Sequence, residues 1–448
     1  MINLSADRLK RPVPIAPLVT FRVLFGIMML VGTIRFWLNG WIVQQFVAPK
    51  FYFSYMGFEW VKPLGYTGMH LLFALIALAT VFITIGFFYR VATVVFFLAF
   101  TYVELIDITN YLNHYYFICL VGFMLIWLPA HRSWSVDVKI WPQLKRTEVP
   151  LWMVGVLRLQ VAIVYFFAGL AKLNPDWLLN AIPMKIWLPA KSHLPLIGQL
   201  MYTTWIAYLF SWFGAVYDLF IAFFLINKKT RPYAYVFVLG FHIATAIFFP
   251  GIGLFPYVMM VVSTIFFSSD AHRKLLGYFN KGAKSNPQPL RCPQKIQQAF
   301  AVGIGVYFAI QIIVPLRFIA YPSGLFWHEE GFRFSWRVML MEKSGNSFFT
   351  VKEPSTGKEY EVNNSEFLTP LQEKMMSTQP DMILRYAHFL ATTYEKRGLK
   401  HPAVYAQCFV ALNGRRSRPF INSATNLAVQ QLGWQHYKWV LPLPTNEN

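Results

Sequence analysis

Lys172 closes the apolar run VYFFAGLAKLNPDW at 164–177, and Asn174–Pro175 breaks any helix directly behind it. A lysine at the end of a membrane helix ordinarily anchors there, with its stem in lipid and its amine in water. A lysine that a helix break turns into a cavity has another use, because a desolvated amine can stay neutral and accept a proton. The small pair Ala168–Gly169 permits the close helix approach that would enclose such a cavity. Tyr165 lies two turns earlier on the same run. Both readings of Lys172, anchor and base, stand on these residues alone.

A second set occupies DITNYLNHYY at 107–116, where Asp107, Asn110, Asn113 and His114 lie between two apolar runs. Polar residues are ordinary in a turn. A histidine beside an asparagine at a membrane mouth can also orient a ligand hydroxyl or pass a proton. His242, inside GFHIATAIF, is either a helix–helix hydrogen bond or a ligand group. Arg22, Arg35, Glu104, Arg158 and Asp218 are charged residues in or beside apolar runs, where charge is costly. Counting from the run ends places Arg158 and Asp218 at similar depth, so these two are expected to form a structural ion pair. Arg22 is expected to snorkel to the nearer interface. No phosphate-loop, dinucleotide or zinc-protease motif occurs, and no Cys/His spacing fits a metal. ATP-driven transport, Rossmann cofactors and zinc hydrolysis are therefore without support, and no metal is expected.

The elements that must hold these residues are membrane helices. The 448-residue chain is 56% hydrophobic and only 13% charged, about half the charged share of a soluble domain. Nine apolar runs, at 18–37, 67–88, 91–106, 114–129, 151–171, 205–226, 233–249, 254–268 and 299–316, approach the roughly 17–25 residues that cross a bilayer. The expected fold is an all-α polytopic membrane bundle of about eight or nine transmembrane helices, one of them short enough to be re-entrant. The net charge of +20 invites a nucleic-acid reading, but its distribution excludes one: from residue 318 onward, 14 Lys/Arg face 11 Asp/Glu. With the N-terminus inside, inner segments hold 17 basic residues and outer loops 5. This bias orients the chain and places Lys172, the 106–114 turn and residues 318–448 on the outer face. The polar N-terminus has no signal-peptide pattern, so the first run is expected to remain as a span.

Residues 1–317 read as one transmembrane domain and 318–448 as an extracytoplasmic α+β domain. In the latter, Trp336–Met341 and Phe348–Val351 flank a Ser-Gly-Asn turn, and Lys358–Val362 and Tyr405–Leu412 suit further strands. A helical pattern over 369–397 breaks at Pro380. Cys119, Cys292 and Cys408 fall in dissimilar surroundings, and no disulfide is expected.

Many of these segments together resemble the vitamin K-dependent gamma-carboxylase family and its bacterial relatives with the horizontally transferred transmembrane (HTTM) domain. The matching segments are FRVLFG at 21–26, YRVATVVFFL at 89–98, NHYY at 113–116, HRSWSVD at 131–137 and VYFFAGLAKLNPDW at 164–177. They continue with FHIATAIFFPGIGLFPYVM at 241–259, SSDAHRKLL at 268–276, ILRYAHFL at 383–390, the strand through Ala403–Asn413 and RPFINSATNLA at 418–428. Coverage runs from about residue 12 to 442, with order and spacing preserved.

The resemblance implies a lyase-class enzyme with Lys172 as the catalytic base, assisted by His114. It implies that Asn113, Tyr165, His242 and Asp107 bind the quinone. The chemistry implied couples oxygenation of vitamin K hydroquinone, a reduced menaquinone-type isoprenoid quinone, to carboxylation of protein glutamate, with O2 and CO2 as co-substrates. In that chemistry the lysine deprotonates the quinol, and an alkoxide formed after oxygen addition removes the glutamate proton. A water-excluding pocket is then required. Membrane lipid, the quinone and a glutamate-containing protein are the implied partners. The vertebrate enzymes extend beyond this chain, carry a lysine where Ala171 stands, and have a disulfide with no cysteines here. The resemblance thus points to a bacterial-type member in the cytoplasmic membrane, with the endoplasmic reticulum as the alternative. Three rival readings accompany it: a quinol epoxidase without carboxylation, a non-catalytic HTTM-fold protein (immunity, signalling or carrier), and an acyltransferase-like lipid enzyme with no evident nucleophile.

Overall fold

The computed structural model describes residues 9–279 and 294–444. A two-stranded antiparallel ribbon, β1 (Pro12–Pro14) with β2 (Glu148–Pro150), lies at the end of the bundle that carries the N-terminus. The bundle itself comprises α1 (Ala16–Leu38), α2 (Gly65–Ile85), α3 (Tyr89–Ile106), α4 (Asn113–Trp127), α5 (Leu151–Ala171), α6 (Thr204–Ile226), α7 (Arg231–Phe248) and α8 (Phe255–Ser263). An amphipathic α9 (Ser269–Phe279) and a last apolar helix, α10 (Gln294–Leu316), follow. Each of the nine expected runs is a helix. Seven are long and apolar enough to cross a membrane, and α4 and α8 are shorter. Helices suit lipid because every backbone polar group is satisfied within the segment.

Three of the matching segments meet at the ribbon end and do structural work there. Both oxygens of the Asp137 carboxylate cap α3, accepting from the backbone N–H of Phe88 (2.7 Å) and Tyr89 (3.1 Å). The Arg22 guanidinium donates to the carbonyls of Ala130 and Trp134. Arg22 is therefore fully buried rather than snorkelling, because the 130–134 loop supplies the acceptors that water would otherwise provide.

The C-terminal domain is a four-stranded antiparallel sheet in the order β4-β3-β5-β6, formed by β3 (Lys343–Lys352), β4 (Glu359–Glu361), β5 (Ala403–Leu412) and β6 (Arg418–Pro419). Two helices, α11 (Pro370–Met376) and α12 (Pro380–Lys396), accompany it. α12 buries Ile383, Tyr386 and Leu390 in the same core as Phe349 and Val351 of β3 and Val404 and Ala406 of β5. The expected Ser-Gly-Asn turn is absent: Ser344, Gly345 and Asn346 lie inside β3, paired with β5. Gly345 is there for closeness, since a Cβ would meet Phe409 O at 2.8 Å. Trp336–Met341 is correspondingly not a strand but an irregular strap, with Phe334, Trp336 and Met339 at positive φ. Cys119 and Cys408 are free thiols, and Cys292 lies outside the described residues.

The two parts interlock. Phe53 and Ile108, from loops of the bundle, belong to the C-terminal domain's core, whereas Trp336 of the strap belongs to the bundle's core.

Candidate active site

The α5–α6 contact sets the position of Lys172. Gly169 packs directly on α6, where a Cβ would lie 2.4 Å from the Leu219 backbone nitrogen. Only a residue without a side chain allows this approach. Because the helices are antiparallel, Lys172 lies level with the middle of α6, about 21 Å from its start at Thr204 by helical rise. The chain after Lys172 does not leave the bundle. Asn174 Oδ1 caps the short helix Pro175–Leu178 by accepting from Trp177 N–H. Trp177 and Ser211 exchange hydrogen bonds, Nε1 to Ser211 O at 2.7 Å and Ser211 Oγ to Trp177 O at 2.6 Å. Residues 173–203 thus cover the remaining length of α6, and Lys172 is only 6% exposed. It is no interfacial anchor.

The lysine's partner is Asp218. Lys172 Nζ donates to Asp218 Oδ2 at 2.7 Å and to Ala168 O at 3.2 Å, with the Trp177 ring 5.5 Å away. The expected Arg158–Asp218 pair does not form. The Gly169–Leu219 register puts Arg158 level with the loop beyond α6, where it donates to Ile265 O (2.9 Å) and Phe267 O (3.3 Å). Depth counted from the ends of two runs fails here because, at this end, α5 extends well past α6.

Lys172 and Asp218 line a cavity of about 490 Å³ between α5, α6, α7 and the strap. Its other walls are apolar, among them Phe213, Phe241, Phe248, Phe255 and Met339. A second cavity, of about 670 Å³, lies between the bundle and the C-terminal domain. It is the more polar of the two: Asn113, His114, Lys191, Glu329, Arg333, Arg337 and Glu342 contribute beside apolar side chains. The two cavities share Phe248, Phe249, Ile252, Phe255, Val338 and Met339, so one thin partition separates them.

The remaining expected site residues divide. His114 lies on the polar cavity, buried, with its ring beside Phe255 and its Nε2 unpartnered among the described residues. Asn113 lines the same cavity, but its amide is engaged, donating to Arg337 O at 2.7 Å and accepting from Tyr111 Oη at 3.0 Å. Tyr165 and His242 line neither cavity. Tyr165 Oη lies 3.1 Å from both His242 Nε2 and Ser263 Oγ, in the packing behind Phe241 and Phe255. Asp107 faces the domain seam instead of a cavity, accepting from Gln372 Nε2 at 2.8 Å and Thr109 N–H at 2.9 Å. Burial pushes its carboxyl up to about 6, against these hydrogen bonds.

Arg337 went unremarked in the sequence. It is 6% exposed, its Nε has no partner among the described residues, its Nη1 makes a 3.5 Å contact with Pro315 O, and its guanidinium lies over the Phe318 ring, 4.5 Å from the centroid. Neighbouring cations are satisfied: Arg333 pairs with Asp381 (2.6 Å) and Lys343 with Glu329 (2.8 Å). The helix and strand periods that expose core positions in a sequence do not apply to an irregular strap. No grouping of His, Cys, Asp and Glu among the described residues is placed to hold a metal ion.

Residues 10–270, more than half of the chain, match the family model of the HTTM domain. Residues 296–446 match that of the vitamin K-dependent gamma-carboxylase lumenal domain. The chain belongs to the HTTM and vitamin K-dependent gamma-carboxylase family. No solved structure matches it. The two family matches fall on the bundle and on the C-terminal domain with its preceding helix, so the polar cavity of this family member lies between its two matched parts.

Proposed function

We propose that this chain is an integral membrane enzyme that couples oxygenation of a reduced isoprenoid quinone, vitamin K hydroquinone of menaquinone type, to carboxylation of glutamate in an acceptor protein. One observation carries the reading. A buried amine stands on the wall of an apolar cavity that is separated by a thin partition from a polar cavity under the C-terminal domain.

The apolar cavity fits a quinol ring. Between α6 and α7 it is lined by Leu209, Phe213, Val236 and Phe237, all exposed on the lipid-facing surface, where an isoprenoid tail would leave. The overall conversion joins quinol, O2, CO2 and a glutamyl γ-C–H to give the quinone epoxide, water and γ-carboxyglutamate. Lys172, as the free amine, removes the quinol hydroxyl proton. The Phe-rich walls exclude the water that would quench a strong base or a carbanion. His114, on the other side of the partition, offers its unpartnered Nε2 to the acceptor. Arg337 offers its guanidinium to the acceptor carboxylate, a charge-assisted bond that fixes the γ-carbon's position. This second cavity, with Arg337 on its wall, favours carboxylation over oxygenation alone. The bias of 17 basic residues to 5 supports an N-terminus inside and a C-terminal domain outside, in a bacterial cytoplasmic membrane.

The test uses purified protein with reduced vitamin K, labelled bicarbonate and a glutamyl peptide, measuring epoxide and fixed label separately. Both products are expected. Epoxide without label would reduce the reading to a quinol epoxidase, and neither product would favour a non-catalytic HTTM-fold protein.

A further inference from the structure

Among the described residues, Lys172 and Asp218 are the only charged ones lining the apolar cavity, and they touch. A buried ion pair of this kind seldom adds net stability, because removing both charges from water costs about what their attraction returns. Nor is a tie needed here. Gly169 already locks α5 on α6, and the reciprocal Trp177–Ser211 hydrogen bonds lock the following segment. The pair is also not sealed in packing. Gly214, one turn before Asp218, leaves the space above the lysine open, since a Cβ there would only just reach Lys172 Cε at 4.0 Å.

We infer that Asp218 is the positioning residue of the base: it holds the Lys172 amine at the cavity wall and stabilises the proton that the amine takes up. The inference rests on the reading of Lys172 given under Proposed function. An ammonium has three N–H groups. Asp218 Oδ2 and Ala168 O accept two of them, which leaves the third for a ligand in the cavity. In the transfer, the quinol O–H bond breaks and its electron pair stays on the oxygen. The Nζ lone pair forms the new N–H bond. The pair then changes from a lone carboxylate beside a neutral amine to a neutral ion pair, so no unpaired charge remains on the cavity wall.

The other titratable groups facing the pair carry no charge of their own. Tyr165 of α5 and Tyr217 of α6 lie beside Asp218, and His242 of α7 lies behind both tyrosines. The segment after Lys172 presents Trp177 and Met184, and the strap presents Val338 and Met339. Among the described residues, no other group in the cavity wall carries a negative charge.

Asp218→Asn and Asp218→Glu in lipid nanodiscs test this. Phenyl isothiocyanate, an apolar reagent that attacks only unprotonated amines, is applied at pH 7, and labelling of the Lys172 peptide is followed by mass spectrometry. Asp218→Asn should label at least tenfold faster than the parent, with Lys343 unchanged as a control for global loosening, and Asp218→Glu should label at the parental rate. In quinol turnover, Asp218→Asn should lower kcat at least 100-fold with KM for the quinol within about threefold, and Asp218→Glu should recover at least a tenth of the parental kcat. Equal Lys172 labelling in the parent and Asp218→Asn overturns the pairing role. Absence of quinol oxygenation in the parent overturns the proposed function instead, and the labelling ratio still decides the pair.

Discussion

Asn113 donates its amide to the backbone carbonyl of Arg337 at 2.7 Å, tying the first turn of α4 to the strap that partitions the two cavities. Tyr111 reinforces the tie, its hydroxyl accepting from the Phe334 N–H at 2.7 Å while donating to Asn113. The asparagine that a family comparison would assign to the quinone is thus committed to the wall between two compartments. Its effect on a bound quinone would be exerted through Val338 and Met339.

Asn113→Ala should accordingly loosen the partition without removing any group that touches a proton in flight. Losing one buried hydrogen bond costs about 1–3 kcal/mol. The expected functional sign is uncoupling: more epoxide formed per carboxylate fixed. An unchanged ratio, with a folded variant, would show that the partition does not govern coupling.

Arg337→Gln should separate the two halves of the proposed reaction. Quinol oxygenation in the absence of acceptor should stay within about threefold of the parent. The KM for a glutamyl peptide should rise by at least tenfold, since a charge-assisted bond is worth about 1.5–3 kcal/mol. The measurement is label fixation against peptide concentration. A peptide KM unmoved by the substitution would remove Arg337 from the acceptor site.

Lys172→Ala should lower epoxide formation by about 10²–10⁴-fold, the usual worth of a general base. It should also destabilise the protein, because Asp218 is left buried and unpaired, a loss of about 3–5 kcal/mol for a broken buried pair. The double variant Lys172→Ala/Asp218→Asn should therefore melt closer to the parent than the single one does, while remaining inactive. Melting by intrinsic fluorescence in detergent checks the first statement, and chromatographic assay of the epoxide checks the second.

Asp107 should give the junction between bundle and C-terminal domain a pH dependence. Its carboxyl is raised by burial from 3.8 to about 6 in the folded protein, so the fold favours the protonated form. Its contribution is fully present below about pH 4 and is lost as pH rises through 6, by up to about 3 kcal/mol. Asp107→Asn should remove that part of the decline between pH 4 and 7 and gain on the parent above pH 6. Parallel melting curves for both proteins across this window would refute the assignment.

The helices were legible in the sequence because lipid permits little else: long apolar runs must satisfy their own backbone, and all nine became helices. The break at Pro380 was legible for an equally local reason, since proline at the first helical position starts α12. Gly345 misled because glycine marks turns and close approaches alike, and only the carbonyl of Phe409 across the sheet distinguishes the two. At the site, Lys172 and His114 stood out as polar groups in apolar surroundings. Arg337 did not, because an irregular strap has no period against which a buried arginine looks out of place.

The sequence by itself determined the helical bundle, the polar character of the C-terminal part and the few charges that lie among apolar residues. Each of these follows from composition and spacing along the chain, which local backbone physics reads directly. Which charges meet was decided only by the tertiary structure. The close packing of Gly169 on Leu219 slides α5 against α6 until Lys172, at the end of one helix, faces Asp218 in the middle of the other. Arg158 is carried past the end of α6 to cap a different loop. A register between two helices is set by contacts across the chain, so no count along either run could have supplied it.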